Sequence, residues 1–222
     1  MILYLVLIFI LYNISSNISN PVLQGVNTDG KYIYIIFSHG ITKIKNNKII
    51  KQIFGYQHLN SCFIINNKLY CTHNPKYSNS IEIFDLDLNL IQSIKIKTKG
   101  SLTWISYNNG WWGCLAYYGK YVNKTRIIKF INWKITQKYK IDPKILNKIK
   151  PYSLSGGTWY KNKLYLSGHD KPEIYKLNKL FMLDQIIKTN SYGQSFGIYN
   201  NILYGINRQT NKVVTTNISG YV

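Results

Sequence analysis

The sequence predicts an all-β chain, a ring of repeated four-stranded antiparallel sheets, and three observations carry that expectation. Aromatic residues make up 15% of the chain and 20 of its 222 residues are Tyr, against a single alanine, Ala116; this balance favours strands over helices. A hairpin signature, an apolar strand followed by an Asn/Asp/Gly turn and a second apolar strand, recurs five times. Its closing aromatics, Tyr34, Tyr70, Trp112, Tyr165 and Tyr204, are 36, 42, 53 and 39 residues apart, about one four-stranded unit each.

The elements follow in order. Met1 to Leu11 is almost wholly apolar and runs into a polar stretch, Tyr12 to Asn20, in the manner of a secretory signal peptide, though no Lys or Arg precedes it. Residues 1–19 are therefore expected to be a signal peptide or short hydrophobic leader, cut near Ser16 or Ser19, with an uncleaved anchor as the alternative. The apolar run is too short to span a bilayer, which takes roughly 20 residues. A secreted or lumenal chain without a transmembrane span follows.

The five hairpins turn at Asp29-Gly30, Asn66-Asn67, Asn108-Asn109-Gly110, Lys161-Asn162 and Asn200-Asn201. A second strand pair follows each of the first four, over 41–53, 81–96, 127–141 and 174–187. Alternation in Ile81-Glu82-Ile83-Phe84-Asp85 and in Lys138-Tyr139-Lys140-Ile141 reads as half-buried outer strand. Asp142 followed by Pro143 is a helix start, so a short helix reaching Lys150 precedes the fourth inner strand, as a basic lid or a solvated ornament. The last unit has only Lys212 to Ile218 after its hairpin, one strand short. Asn20 to Leu23 is expected to supply the missing strand and lock the ring, removing open sheet edges. A β-sandwich is the structural alternative, but it does not explain five copies of one hairpin. The expected fold is thus a five-bladed β-propeller of four-stranded antiparallel blades over residues 20–222, its ring closed by the N-terminal strand.

A two-residue turn at Asn66-Asn67 places Cys62 opposite Cys71 in a non-hydrogen-bonded pair, within disulfide reach. An oxidising compartment would permit the bond; the other reading is two small buried hydrophobes. Cys114 has no evident partner and reads as a buried thiol.

The formal charge is +20, which ordinarily suggests an anionic partner. Only Arg126 and Arg208 are arginines, however, and the lysines are spread evenly among abundant Asn, Ile and Tyr, the residues of A/T-rich codons. Part of the charge therefore reflects composition, and nucleic acid is not the expected partner. A protein, or an anionic small molecule or glycan, is. Two Asn-x-Ser/Thr triplets, at Asn123 and Asn217, are acceptors in a eukaryotic secretory route.

Over residues 24–218 these repeats resemble five-bladed propellers, a group that includes plant-type glutaminyl cyclases and arabinan-degrading glycosidases. The resemblance implies that the innermost strands line a channel and that the loops opposite the hairpin turns form the ligand face. On that mapping Gln24, His58, Asn60, Ser101, Ser155 and Gln194 begin the inner strands, while His39, His73, His169 and Arg208 follow the second strands. Trp104 is a candidate for stacking a ligand near the channel. None of the eight carboxylates begins an inner strand, so neither the paired carboxyls of glycoside hydrolysis nor the channel Glu of the cyclases has a counterpart. No metal-ligand spacing occurs either, so no metal and no cofactor are expected. Two readings remain: a monomeric binding propeller using Gln24, Asn60, Trp104, Ser155, His73, His169 and Gln194, or a metal-independent hydrolase, lyase or transferase with His58 as general base, assisted by His39 and Arg208.

Overall fold

The computed structural model describes residues 22–75 and 78–222, so the expected leader lies outside the described residues. The chain is a five-bladed β-propeller. Blade 1 comprises β1 (Leu23–Thr28), β2 (Ile33–Phe37), β3 (Gly40–Lys45) and β4 (Lys48–Phe54). Blade 2 follows with β5 (Leu59–Ile65), β6 (Lys68–His73), β7 (Asn79–Asp85) and β8 (Leu90–Ile96). Blade 3 holds β9 (Ser101–Tyr107), β10 (Trp111–Ala116), β11 (Arg126–Ile131) and β12 (Lys134–Lys140). Blade 4 holds β13 (Gly156–Tyr160), β14 (Lys163–Ser167), β15 (Glu173–Leu177) and β16 (Leu183–Lys188), and blade 5 has β17 (Gly197–Tyr199), β18 (Ile202–Asn207) and β19 (Lys212–Asn217).

The turn chemistry makes these hairpins. Asn66 and Asn67 sit at φ 51° and 55°, and Asn200 and Asn201 at 47° and 63°, the left-handed pair that a two-residue hairpin needs and that Asn tolerates best. The same geometry recurs in the outer hairpins at Asn46-Asn47 and Asn132-Trp133. Period-2 strands then divide their side chains between two neighbours. In β2, Tyr34 and Ile36 pack towards blade 2 while Ile35 and Phe37 pack towards blade 5. Each of the five blade junctions holds its own apolar cluster. Inner and middle strands are therefore apolar on both faces, and β7 is buried almost throughout. The alternation at Ile81–Asp85 thus belongs to a buried third strand, not to the half-buried outer strand expected; Glu82 is buried there among polar partners.

The N-terminal strand closes the ring as expected, but as the innermost strand of blade 1 and not as a fourth strand of blade 5; Asn20 and Pro21 lie outside the described residues. Leu23 begins the innermost strand of blade 1, and among the described residues blade 5 keeps three strands. Inner strands make the closing contact instead: Gly25 bridges Ser195 in parallel, and the Ser195 amide donates to the Gln24 carbonyl at 3.0 Å. A side chain at Gly25 would overlap Ser195, so only glycine permits this approach.

Cys62 and Cys71 are register partners joined by a disulfide, with Cα atoms 4.0 Å apart. Cys114 is fully buried, which pushes its thiol up to about 12. The helix α1 (Pro143–Ile149) forms as expected, its first amides capped by the Asp142 carboxylate, which accepts from Lys144 N at 2.8 Å. It is neither a lid nor an ornament. Ile145, Leu146 and Ile149 are buried in the junction of blades 3 and 4, and the other Asp142 oxygen accepts from the Leu183 amide at 2.9 Å. Among the described residues no helix is long and apolar enough to cross a membrane.

Candidate functional site

The end of the channel opposite the inner hairpin turns opens into a mouth of about 1020 Å³, built by all five blades. Inner strands deliver a floor of neutral hydrogen-bonding side chains: Gln24, Asn60, Ser101, Thr103, Ser155 and Gln194. Some are spoken for. Gln24 Nε2 donates to Ser38 Oγ at 2.8 Å and Thr103 Oγ1 to the Leu154 carbonyl at 2.8 Å. Asn60 differs: it is 93% buried by its 7% exposure, and its Nδ2 has no hydrogen-bond partner among the described residues. A buried amide donor without a partner is costly unless something supplies an acceptor.

Loops raise the walls: His39, His169 and Arg208 stand in loops after second strands, and His58 in the loop that enters the inner strand of blade 2. His39 Nδ1 lies 3.1 Å from the Tyr56 carbonyl, which leaves Nε2 free to meet a ligand. His58 holds φ +67° just before its inner strand, and Gln194 holds +64° in the loop that enters the inner strand of blade 5. Such left-handed non-glycine positions cost free energy and gather at ligand sites. Although the His58 ring meets solvent in the mouth, partial desolvation, with His73 and His39 close by, holds its pKa below the ordinary imidazole value. The ring is therefore neutral near pH 7, able both to accept and to donate.

His169 is the most tightly held. Tyr152 stacks on its ring at 4.2 Å, Asp170 bonds Nδ1, and Arg208 Nη1 reaches Nε2 at 3.4 Å. Arg208 also lies 3.7 Å from the Asp170 carboxylate. The array presents a guanidinium at the rim with its neighbours fixed. Among the described residues no carboxylate lines the mouth and no cluster fit for a metal ion occurs.

Of the residues that the sequence placed here, Gln24, His39, His58, Asn60, Ser101, Ser155, His169, Gln194 and Arg208 converge on the mouth. His73 and Trp104 do not. His73 uses both ring nitrogens below it: Nδ1 is 3.2 Å from Glu82 and Nε2 accepts from the Gln57 amide at 3.3 Å. Burial alone would raise Glu82, but hydrogen bonds from His73, Ser80 and Ser93 outweigh it and hold the carboxyl below its ordinary value. Trp104 is wholly buried between blades 3 and 4, against Gly157, so it cannot stack a ligand. Tyr118 and Tyr152 line the mouth without having been expected there. Tyr152 follows the helix by three residues, and only the docking of α1 reveals where that loop returns.

No protein-family model matches the sequence, and no curated protein does. Solved structures resemble the fold. Myxococcus xanthus glutaminyl cyclase superposes with a TM-score of 0.60 at 7% identity, covering 83% of this chain and 85% of that one. A Bacteroides caccae protein of unknown function gives 0.54 at 12%, covering 84% and 71%. A luciferin-regenerating enzyme gives 0.52 at 9%, covering 88% and 77%. At such identities the likeness is one of architecture, which hosts many unrelated functions.

Proposed function

We propose that this chain is an exported binding propeller whose mouth takes a small anionic ligand. The observation that carries the reading is the mouth's make-up: Arg208 and three histidines in the walls, a floor of amides and hydroxyls with Asn60 Nδ2 unpartnered, and no lining carboxylate among the described residues. The anionic end would meet Arg208 and His39, and the polar body would meet Asn60 and Gln194. Export is supported by the apolar leader sequence and by the Cys62–Cys71 disulfide, a bond typical of oxidising compartments. Calorimetric titration with a panel of di- and tricarboxylates and phosphate esters tests the reading. Binding of at least one member, weakened about tenfold by Arg208→Gln, is expected, the usual cost of losing one charge-assisted hydrogen bond. Binding indifferent to Arg208 would refute it.

One observation favours a second reading. Among the described residues the His58 ring makes no hydrogen bond, and its lowered pKa leaves it neutral near pH 7, the state a general base requires. A hydrolase, lyase or transferase using His58, with His39 and Arg208 assisting, would convert a bound panel member. Turnover abolished by His58→Ala with binding retained would favour that enzyme over the binding module.

A further inference from the structure

The mouth does not end at its rim. Pro151, Tyr152 and His169 also border a small cleft of about 150 Å³, whose far side is Lys150 and Lys171. Lys150 in turn borders a third hollow of about 360 Å³ between α1 and the start of β11, where Arg126 and Lys140 stand over a floor of Ile141, Pro143 and Leu146. The three concavities lie in series, each sharing lining residues with the next, with Arg208 in the first, Lys150 between the second and third, and the Arg126/Lys140 pair in the last. Its one carboxylate, Asp170, is occupied by His169 and Arg208.

The far end is built in a way that calls for an anion. Arg126 and Lys140 are direct cross-strand partners, and like charges facing each other across a sheet are destabilising. Arg126 is nevertheless fixed in place, its Nη1 donating to the Asn123 and Thr125 carbonyls at 2.8 Å, which leaves other guanidinium N–H groups for a ligand. Lys150 is held at 3.0 Å from Asn147 Oδ1. Separated cations joined by an apolar floor and amides suit a chain whose charges alternate with hydroxyl-bearing rings.

We infer that the ligand entering the mouth is one end of a linear anionic saccharide, whose next charged units lie over Lys150 and then in the Arg126/Lys140 hollow. This rests on the reading of the mouth as an anion site. A saccharide is favoured over nucleic acid because the Cys62–Cys71 disulfide is a bond typical of oxidising compartments outside the cytosol.

Heparin-derived hexasaccharide and disaccharide are the probes. The hexasaccharide should bind at least about tenfold more tightly than the disaccharide, as two added charge contacts imply. Arg126→Gln/Lys140→Gln should remove that advantage and leave disaccharide affinity unchanged, whereas Arg208→Gln weakens both. Lys95→Gln/Lys97→Gln, exposed on blade 2, should change neither; an equal loss there would mean diffuse charge and overturn the path. A disaccharide sensitive to Arg208, with no gain from length, would overturn the path and leave the mouth standing. Insensitivity of both probes to Arg208 would overturn the mouth and the path together. An oligothymidylate of equal charge that binds as tightly, with the same response to the variants, would overturn the saccharide assignment.

Discussion

At the scale of residues, the site was legible where a side chain's place follows from its position beside a strand. His39, His58, His169 and Arg208 sit one or two positions from strand ends, so the repeat, with the loop mapping that the propeller resemblance implies, put them on one face. The direction of a ring cannot be counted. His73, expected after its strand, is instead the last residue of β6, and its ring lies against Glu82, whose buried carboxylate needs its hydrogen bond. His58 supplies a pH test. Its pKa is lower folded than unfolded, so the unfolded chain binds the proton first as pH falls below about 6.5, the ordinary imidazole value. This contribution to stability is full above that value and is lost as the pH drops through the window down to the folded pKa. Urea melts of wild type and His58→Asn at pH 7.5 and 5.0 should show a smaller acid loss in the variant, Asn being a residue that accepts positive φ. Equal losses in both would show that His58 carries no such linkage.

At the scale of elements, the hairpins were readable because the Asn-Asn turn is a local code: both residues are left-handed at Asn46-Asn47, Asn66-Asn67 and Asn200-Asn201, while in the longer turn of blade 3 Asn109 and Gly110 take that conformation. The burial of β7 was not readable. Alternating residues normally mark a sheet with one wet face, yet here both faces of a blade are dry and Glu82 survives by hydrogen bonding to Ser80, Ser93 and His73. Trp104 escaped for a similar reason: a single sequence does not say which blade junction has room, and the space came from Gly157 on the next blade. The helix α1 was placed by its cap, while its role came from Ile145, fully buried at the junction of blades 3 and 4. Ile145→Ala should cost about 2–4 kcal/mol in chemical denaturation, the usual cost of such a cavity. It should also weaken anion binding, since the loop carrying Tyr152 to the mouth follows this helix. A loss of stability below about 1 kcal/mol would mean that the helix is not docked.

At the scale of the whole molecule, the ring and its closure by the N-terminal strand were legible from the repeat, but the inner contact that makes the closure was not, because the approach of Gly25 to Ser195 joins positions 170 residues apart in a 222-residue chain. The net charge of +20 divides in the same way. The lysines are spread over turns, loops and strands along the whole chain, as an A/T-rich composition would leave them, while Arg126 and Arg208, the chain's two arginines, both stand in concave sites. The claim that matters most is that the mouth is an anion site. Anomalous diffraction from crystals soaked in tungstate, a heavy oxyanion, tests it directly. A peak is expected in the mouth beside Arg208 and His39, absent from Arg208→Gln crystals; peaks confined to exposed lysines outside the mouth, with the mouth empty, would contradict an anion site there.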